Sequence, residues 1–310
     1  EVAWPSGQVD VVTDLKADGK ETVVFTLDGG NADFPYIASD YHIPILQAKE
    51  DGSADFDGKN RTGAYILGGI EFGVRAGMKR NPNYHHSDRA WFDKVEITTI
   101  PDHAARQAAL VSGAVDHIIR PDLKTLSLLQ QNPDVMVNEL VGYAHYTFPM
   151  LVDVPPFDNN DVRLALKWAM DREEIVKKIF LGHATAGNDN PISTAVKFGI
   201  NPEPVYRFDP DKARFHLKQA GLSSLKVEMN LSDAAFNGCV DAGVLYQASA
   251  AKCGIEINVV KEAADSYWDV VWLKKPFSAS YWSGRPTCDW MFTTTYAAGA
   301  AWNETRWANP

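Results

Sequence analysis

The clearest candidate for ligand chemistry is an arginine held between a glycine and a proline, with tryptophans on both sides. It is Arg285, in the segment SYWSGRPTCDW (residues 280–290). A guanidinium group matches a carboxylate through two parallel hydrogen bonds, and Asp289 could meet an ammonium group. Trp282 and Trp290 could wall an apolar side chain. The alternative is an internal Arg285–Asp289 ion pair that only shapes the loop.

A second polar and aromatic cluster is GYAHY (residues 142–146). Tyr143 and His145 could line the same site, although a half-buried strand with alternating faces explains this pattern equally well. Trp268 is one of several tryptophans late in the chain. Most tryptophans serve packing, but a group of them near polar residues favours a ligand-facing wall.

Other reactive residue types give no recognisable site. The three cysteines, Cys239, Cys253 and Cys288, have no zinc-site spacing, and we expect them to be small buried apolar residues. His85 and His86 are adjacent, and adjacent side chains on a strand point apart. No nucleophile elbow, phosphate-binding loop or zinc-protease motif is present. The sequence therefore predicts no catalytic residue, no metal site and no cofactor.

Composition indicates an acidic globular protein. The chain has 310 residues, enough for two domains, with 45% apolar and 23% charged residues. Its net charge of −10 disfavours nucleic acid and anionic membranes as partners, because both require clustered Lys and Arg. No apolar run reaches the length of about 18 residues that a membrane span needs.

The elements that must position these residues alternate between strand and helix. Strands are predicted at residues 9–15, 22–27, 64–67, 73–79, 95–100, 135–139, 227–231, 255–261 and 278–282. Helices are predicted at residues 102–112, 122–131, 160–180, 212–220 and 234–252. This alternation is typical of α/β architecture. It places Arg285 just after a strand, where α/β sheets commonly bind ligands.

The strongest helical signal lies at residues 160–180. A broad apolar face precedes Asp171, which is predicted to cap a second helix, with Glu174 completing a capping box. Asp209 is predicted to cap a further helix that has Pro210 at its first position.

The same region carries a resemblance to a known family. PFDNNDVRLALKWAMDREEI (residues 156–175) closely resembles the signature of the family 5 extracellular solute-binding proteins, which are peptide, opine and nickel-type binding subunits of ABC importers. Further segments resemble the family in the same order: RNPNY (80–84), SGAVD (112–116), DPDKA (209–213) and AGL (220–222). TGAY (62–65) departs from the family's GTGPY, since Arg61 and Ala64 replace a glycine and the proline.

The resemblance implies an α/β fold of the two-lobed, type II (Venus-flytrap) periplasmic-binding-protein class. The family's members are longer, so it also implies a chain incomplete at both ends. Residues 1–95 would form part of lobe one, and residues 96–310 most of lobe two. In relatives, charged ligand contacts come from the loop after a late lobe-two strand, and Arg285 and Asp289 occupy that loop here.

The implied function is high-affinity capture of a peptide, opine or similar zwitterion in an interlobe cleft, with delivery to ABC permease subunits. The implied protein is a monomer, is not an enzyme, and is periplasmic, or extracellular and membrane-associated in a one-membrane bacterium. Nickel, haem or sugar binding on the same fold stays an alternative, with histidine replacing the role of Arg285 for nickel or haem. An α/β hydrolase is a more distant alternative, because the sequence names no nucleophile.

Overall fold

The computed structural model describes residues 9–41, 43–56 and 61–308. Its strands are β1 (Val12–Asp18), β2 (Thr22–Leu27), β3 (Tyr65–Glu71), β4 (Arg75–Arg80), β5 (Lys94–Thr98), β6 (His145–Thr147), β7 (Leu225–Leu231), β8 (Ile255–Lys261) and β9 (Ser280–Trp282). Its helices are α1 (Phe34–Ile37), α2 (His103–Val111), α3 (Leu126–Gln130), α4 (Asn160–Ala169), α5 (Arg172–Lys178), α6 (Pro210–Gln219), α7 (Cys239–Ala251), α8 (Tyr267–Val270) and α9 (Cys288–Thr295). None of the helices in this part of the chain is long and apolar enough to cross a membrane.

The chain divides into two compact units. One combines Glu1–Ala38 with Asn138–Pro310, and the other is Ser39–Val137. Neither unit begins or ends between residues 95 and 96, where the boundary between the two lobes was predicted. The predicted lobes, residues 1–95 and 96–310, describe the domain organisation of the whole family. The division into units does not test them, so they stay a prediction. Parts of them, residues 1–8, 42, 57–60, 309 and 310, lie outside the described residues.

The Ser39–Val137 unit contains an antiparallel sheet in the order β3-β4-β5. Helix α2 begins where predicted, because the Asp102 carboxylate accepts a hydrogen bond from the Ala105 N–H at 2.7 Å. The predicted helix at 122–131 is split. Asp122 caps a 3-10 turn, Leu123–Thr125, and α3 follows it.

The other unit is built on a β-α-β element. Strands β7 and β8 are parallel and are joined by α7, as a parallel pair requires a crossover connection. Alternate side chains of β7 (Leu225, Val227, Met229 and Leu231) are buried in the main core, together with Ile255 and Ile257 of β8. This parallel pair with its helices confirms the α/β class.

Helix α7 is fixed to the end of α4 by two buried side-chain hydrogen bonds. The Tyr246 hydroxyl donates to the Leu166 carbonyl at 2.8 Å, and the Ser249 hydroxyl donates to the Ala169 carbonyl at 2.7 Å. Both carbonyls lie in the last turn of α4, where intrahelical partners are missing. These contacts therefore satisfy polar groups that would otherwise be buried without a partner.

The predicted cap of α5 is present, but the predicted capping box is only half formed. The Asp171 carboxylate accepts from the Glu174 N–H at 3.0 Å. The Glu174 carboxylate instead pairs with Lys178, one turn along the helix, at 2.6 Å. An ammonium group within reach outcompetes a backbone N–H for that carboxylate.

Replacing Asp171 with alanine is expected to lower the free energy of unfolding by about 1 kcal/mol, the usual cost of losing an N-cap acceptor. D171N keeps a capping oxygen and serves as the control. Urea denaturation followed by circular dichroism measures both. Equal destabilisation by the two substitutions would contradict the capping role.

Two sequence expectations are wrong. Residues 135–139, predicted as a strand, are irregular: no strand among the described residues pairs with them, and just before them the Asn132 side chain accepts from the Asp134 N–H in a turn. Helix α7 begins at Cys239 rather than at residue 234, since Gly238 has a left-handed φ of 80° that interrupts helical geometry. The predicted burial holds for Cys239 and Cys253, whereas Cys288 is only half-buried at the start of α9.

Candidate ligand-binding site

The framework of the candidate site is the antiparallel pair of β6 and β9. His145 lies opposite Trp282, and Tyr146 lies opposite Tyr281. Just before β9, the Phe277 carbonyl accepts from the Asn230 N–H of β7 at 3.0 Å. The strand that leads to Arg285 is thus anchored to the buried β7–β8 pair. We call the seven predicted ligand residues around this framework the β9 site: Tyr143, His145, Trp268, Trp282, Arg285, Asp289 and Trp290.

The chain leaves β9 through a turn that only glycine fits. Gly284 has a φ of 74°, and a Cβ atom placed on it would lie 2.3 Å from both the Cβ and the carbonyl oxygen of Tyr143. The turn therefore packs directly on Tyr143 and brings the 283–290 segment against the segment that precedes β6.

Arg285 is buried, with 7% of its surface exposed. Its Nη1 donates to the Gly284 carbonyl at 2.9 Å, and its Cζ lies 5.4 Å from the centroid of the Trp290 ring. Trp290 is held in turn by the N-cap of α9, where the Thr287 hydroxyl accepts from the Trp290 N–H at 3.3 Å. A guanidinium stacked on an aromatic face keeps a fixed orientation.

Asp289 is exposed in the first turn of α9. Its carboxylate accepts from the Asn31 side chain at 3.1 Å and from the Thr293 hydroxyl at 3.4 Å. No ion pair with Arg285 forms within the described ranges. The alternative in which the two residues only pair with each other is therefore not what this structure shows.

The aromatic members differ in exposure. Trp268 and Tyr143 are exposed by 36% and 37%, while Trp282 and Trp290 are both buried. Trp268 makes edge contacts with Trp272 and Tyr281, at centroid distances of 5.8 and 5.6 Å. In this structure Trp268 and Tyr143 present accessible aromatic surface, whereas Trp282 packs against Trp272 and Trp302, and Trp290 lies against Arg285. The ligand contacts of all seven residues stay a prediction.

His145 has a buried ring nitrogen, Nε2, with no hydrogen-bond partner among the described residues. Its Nδ1 lies 3.3 Å from the Tyr143 carbonyl, and its Nε2 is buried. Burial lowers the pKa of His145, against a smaller opposing effect of that carbonyl. A neutral imidazole that donates from Nδ1 leaves Nε2 as an acceptor.

This environment predicts a pH effect on stability. Since the folded state disfavours the charged imidazole, His145 contributes full stability above its ordinary pKa of about 6.5 and loses it as the pH falls towards the lowered value. We therefore expect the melting temperature of the wild type to fall more than that of H145Q between pH 7.5 and pH 5. Parallel slopes in differential scanning fluorimetry would contradict this expectation.

The most unusual polar group near the site is one that sequence analysis missed. Glu304 is 3% exposed, and its carboxylate accepts from the Trp282 indole (3.0 Å), the Trp272 indole (3.0 Å) and the Thr147 hydroxyl (2.9 Å). Burial raises the pKa of Glu304, against the opposing effect of these hydrogen bonds and of Ser280. The only sign of this group in the sequence was an acidic residue between two tryptophans, in WNETRW (residues 302–307).

Metal-ligating groups are scattered in the described part of the chain. No three His, Cys, Asp or Glu side chains there come together in a way that could hold an ion. The rings of His85 and His86 contact each other at a tilted angle and meet the Tyr84 ring in T-shaped contacts at an exposed turn.

Comparison with known proteins gives the family to which this fold belongs. Residues 2–304 match the model of the bacterial extracellular solute-binding proteins, family 5 Middle. The chain belongs to this family, as the sequence predicted.

Two curated relatives and one solved structure illustrate the similarity. The chain is 31% identical to heme-binding protein A of Haemophilus influenzae over 43% of its own length and 24% of the relative's. It is 24% identical to the dipeptide-binding protein of Escherichia coli over 82% of its length and 49% of the relative's. The periplasmic binding protein DppA of Helicobacter pylori, in complex with the peptide STSA, superposes with a TM-score of 0.86 at 23% identity, over 99% of this chain and 62% of that one.

The chain thus spans between about a quarter and a half of the length of these two curated relatives. The structural similarity confirms the predicted fold class, type II α/β, while the identity of the solute is a separate question.

Proposed function

We propose that the protein captures a peptide or a similar small zwitterionic solute at the β9 site and delivers it to the permease of an ABC transporter. One observation carries this proposal: the junction between β9 and α9 holds a largely buried cation, Arg285, and an exposed anion, Asp289, beside the exposed aromatic side chain of Tyr143. Those three features match the carboxylate, the amine and the side chains of a peptide. The relatives named for dipeptide and peptide binding support the same class of solute.

In this proposal each group has a distinct role. Arg285 pairs with the solute carboxylate, since its guanidinium is held in one orientation by Trp290. Asp289 receives the amine. The His145 Nε2 accepts a hydrogen bond from the solute, which relieves the energetic penalty of a buried acceptor without a partner.

The proposed location is the periplasm, or the outer face of the membrane in a bacterium with one membrane. We further propose that the protein binds its solute without changing it, that the binding subunit is monomeric, and that it needs no cofactor. Membership of a family of extracellular solute-binding proteins supports the location and the binding of a solute without chemical change.

A thermal-shift screen of the purified protein tests the proposal. The panel contains the tetrapeptide Ser-Thr-Ser-Ala, several dipeptides and opines, haem, Ni²⁺ with histidine, and a set of sugars. A rise in melting temperature with peptides or opines, and an intact ligand recovered by mass spectrometry, supports the proposal. A rise with haem, nickel or sugar alone would overturn it, and cleaved peptide would make the protein a hydrolase.

Haem is the best-supported second candidate, because heme-binding protein A is 31% identical over the aligned 134 residues. In that case His145, with its buried Nε2, would be the first residue to test as an iron ligand. A Soret-band titration of the wild type against H145Q distinguishes this candidate from a peptide binder.

A further inference from the structure

The buried carboxylate of Glu304 is the point where three parts of the β9 site meet. Its Oε1 accepts from Thr147 of β6 and from Trp282 of β9, and its Oε2 accepts from Trp272, which follows α8. One side chain therefore ties both strands of the site, and the segment after α8, to the segment around residue 304.

Glu304 itself is poorly placed to contact a solute. An ionised carboxylate has about four acceptor positions. Three are filled by the donors named above, and Ser280 also hydrogen-bonds to this carboxylate. Its side chain is 3% exposed, and none of the ion pairs in the described ranges includes it. The group is thus engaged within the protein rather than directed at a ligand.

The surrounding indoles are packed against one another and do not form an empty cage. Centroid distances are 6.3 Å for Trp272–Trp282, 6.5 Å for Trp272–Trp302 and 6.0 Å for Trp282–Trp302. These are distances of direct aromatic contact. A cation such as trimethylammonium has no room between the three rings, which excludes an aromatic-cage function for the cluster.

The anchored indoles lie directly beneath the accessible surface of the site. Trp272 packs edge-on against the exposed Trp268, which also contacts Tyr281 of β9. Trp282 lies opposite His145 in the β6–β9 pair. An indole whose N–H is hydrogen-bonded to a carboxylate has one preferred orientation. The rings that pack against it are therefore restricted in their orientation as well.

The segment that carries Glu304 is itself held rigidly. The Asn303 side chain accepts from the Thr305 and Trp307 N–H groups at 3.3 Å and donates to the Ala297 carbonyl at 3.2 Å. The Val152 N–H donates to the Thr305 carbonyl at 2.9 Å. This hydrogen-bonded turn therefore holds the Glu304 carboxylate against the indoles.

We propose that Glu304 is a positioning residue for solute binding. Through Trp272 and Trp282 it holds the aromatic floor of the β9 site, meaning the packed rings of Trp268, Trp272 and Trp282, in its binding conformation. The inference rests on the proposed function. Binding to a surface that is already ordered avoids the entropy loss of ordering it, so loosening the floor weakens binding even when the protein stays folded.

The test compares E304Q with D153N. Both replace a carboxylate with an amide, but Asp153 is exposed and pairs with Arg306, outside the aromatic floor. In E304Q the amide nitrogen carries hydrogens and cannot accept from an indole, so one indole loses its anchor. With Ser-Thr-Ser-Ala as the probe, isothermal titration at 15 °C is expected to give a Kd about tenfold higher for E304Q and unchanged for D153N.

A second pair of variants covers the case in which E304Q does not fold. T147S keeps the hydroxyl that donates to Glu304, and T147V removes it with little change in shape. We expect T147S to bind like the wild type and T147V to bind several-fold more weakly, with circular dichroism showing both fully folded.

The outcomes separate the two proposals. If the wild type binds the tetrapeptide and both T147V and a folded E304Q bind it equally well, the positioning role is overturned while the proposed function stands. If the wild type does not bind the tetrapeptide or any other zwitterion of the panel, the proposed function is overturned, and the positioning role with it.

Discussion

G284A is expected to lower the free energy of unfolding by about 2–5 kcal/mol and to abolish binding at the β9 site. Two effects add. An L-residue in the left-handed conformation that Gly284 adopts costs about 1–2 kcal/mol. A methyl group there would also lie 2.3 Å from the Tyr143 backbone oxygen, which cannot move away as a flexible side chain could. Relieving that overlap typically costs a further 1–3 kcal/mol.

G299A is the matched control. Gly299 has a similar φ of 81°, but a Cβ on it would meet no atom within 4 Å. It therefore reports the conformational cost alone, and the difference between the two variants isolates the overlap with Tyr143. Urea denaturation measures both. Equal destabilisation by G284A and G299A would show that the turn does not pack on Tyr143.

R285A is expected to weaken the binding of a peptide carboxylate about 100-fold, which corresponds to roughly 2–3 kcal/mol. A more specific test is a thermodynamic cycle that measures the binding free energies of the wild type and R285A, each with Ser-Thr-Ser-Ala and with its C-terminally amidated form. If the guanidinium pairs with the carboxylate, amidation should weaken binding to the wild type and have little further effect on R285A, because both changes remove the same interaction.

R306A provides the control for charge. Arg306 is exposed, pairs with Asp153 at 3.3 Å and donates to the Leu273 carbonyl at 3.1 Å, so its removal changes the net charge without removing a contact to any of the seven residues of the β9 site. We expect R306A to bind both peptides like the wild type. Additive effects of R285A and amidation, measured by titration calorimetry, would remove Arg285 from carboxylate recognition.

The elements that were predictable from sequence are those with local chemical signals. Asp102 and Asp171 each have a side chain that satisfies a backbone N–H three residues on, and such caps depend on neighbouring residues alone. The strands at β7 and β8 were predictable because alternate positions must be apolar to reach the core. The family signature at residues 156–175 added the fold class.

The rest depends on contacts between distant segments. The apolar run at residues 135–137 has no strand beside it among the described residues, and sequence cannot show whether a partner exists. Glu304 meets Thr147 across 157 residues of chain, and no local pattern predicts that a carboxylate will be enclosed by indoles. The burial of Trp282 and Trp290 depends on the same packing, so composition could suggest an aromatic site but not which rings would be accessible.

The hydrogen bonds from Tyr246 and Ser249 join α7 to the end of α4, the helix that carries the family signature. These contacts lie inside the core and do not involve Arg285 or Asp289. Substitutions in the signature stretch should change how much folded protein a cell accumulates, whereas under the proposed function substitutions around β9 should change which solute is bound. Solute preference can therefore diverge while the fold stays recognisable, and membership of the family alone does not identify the solute.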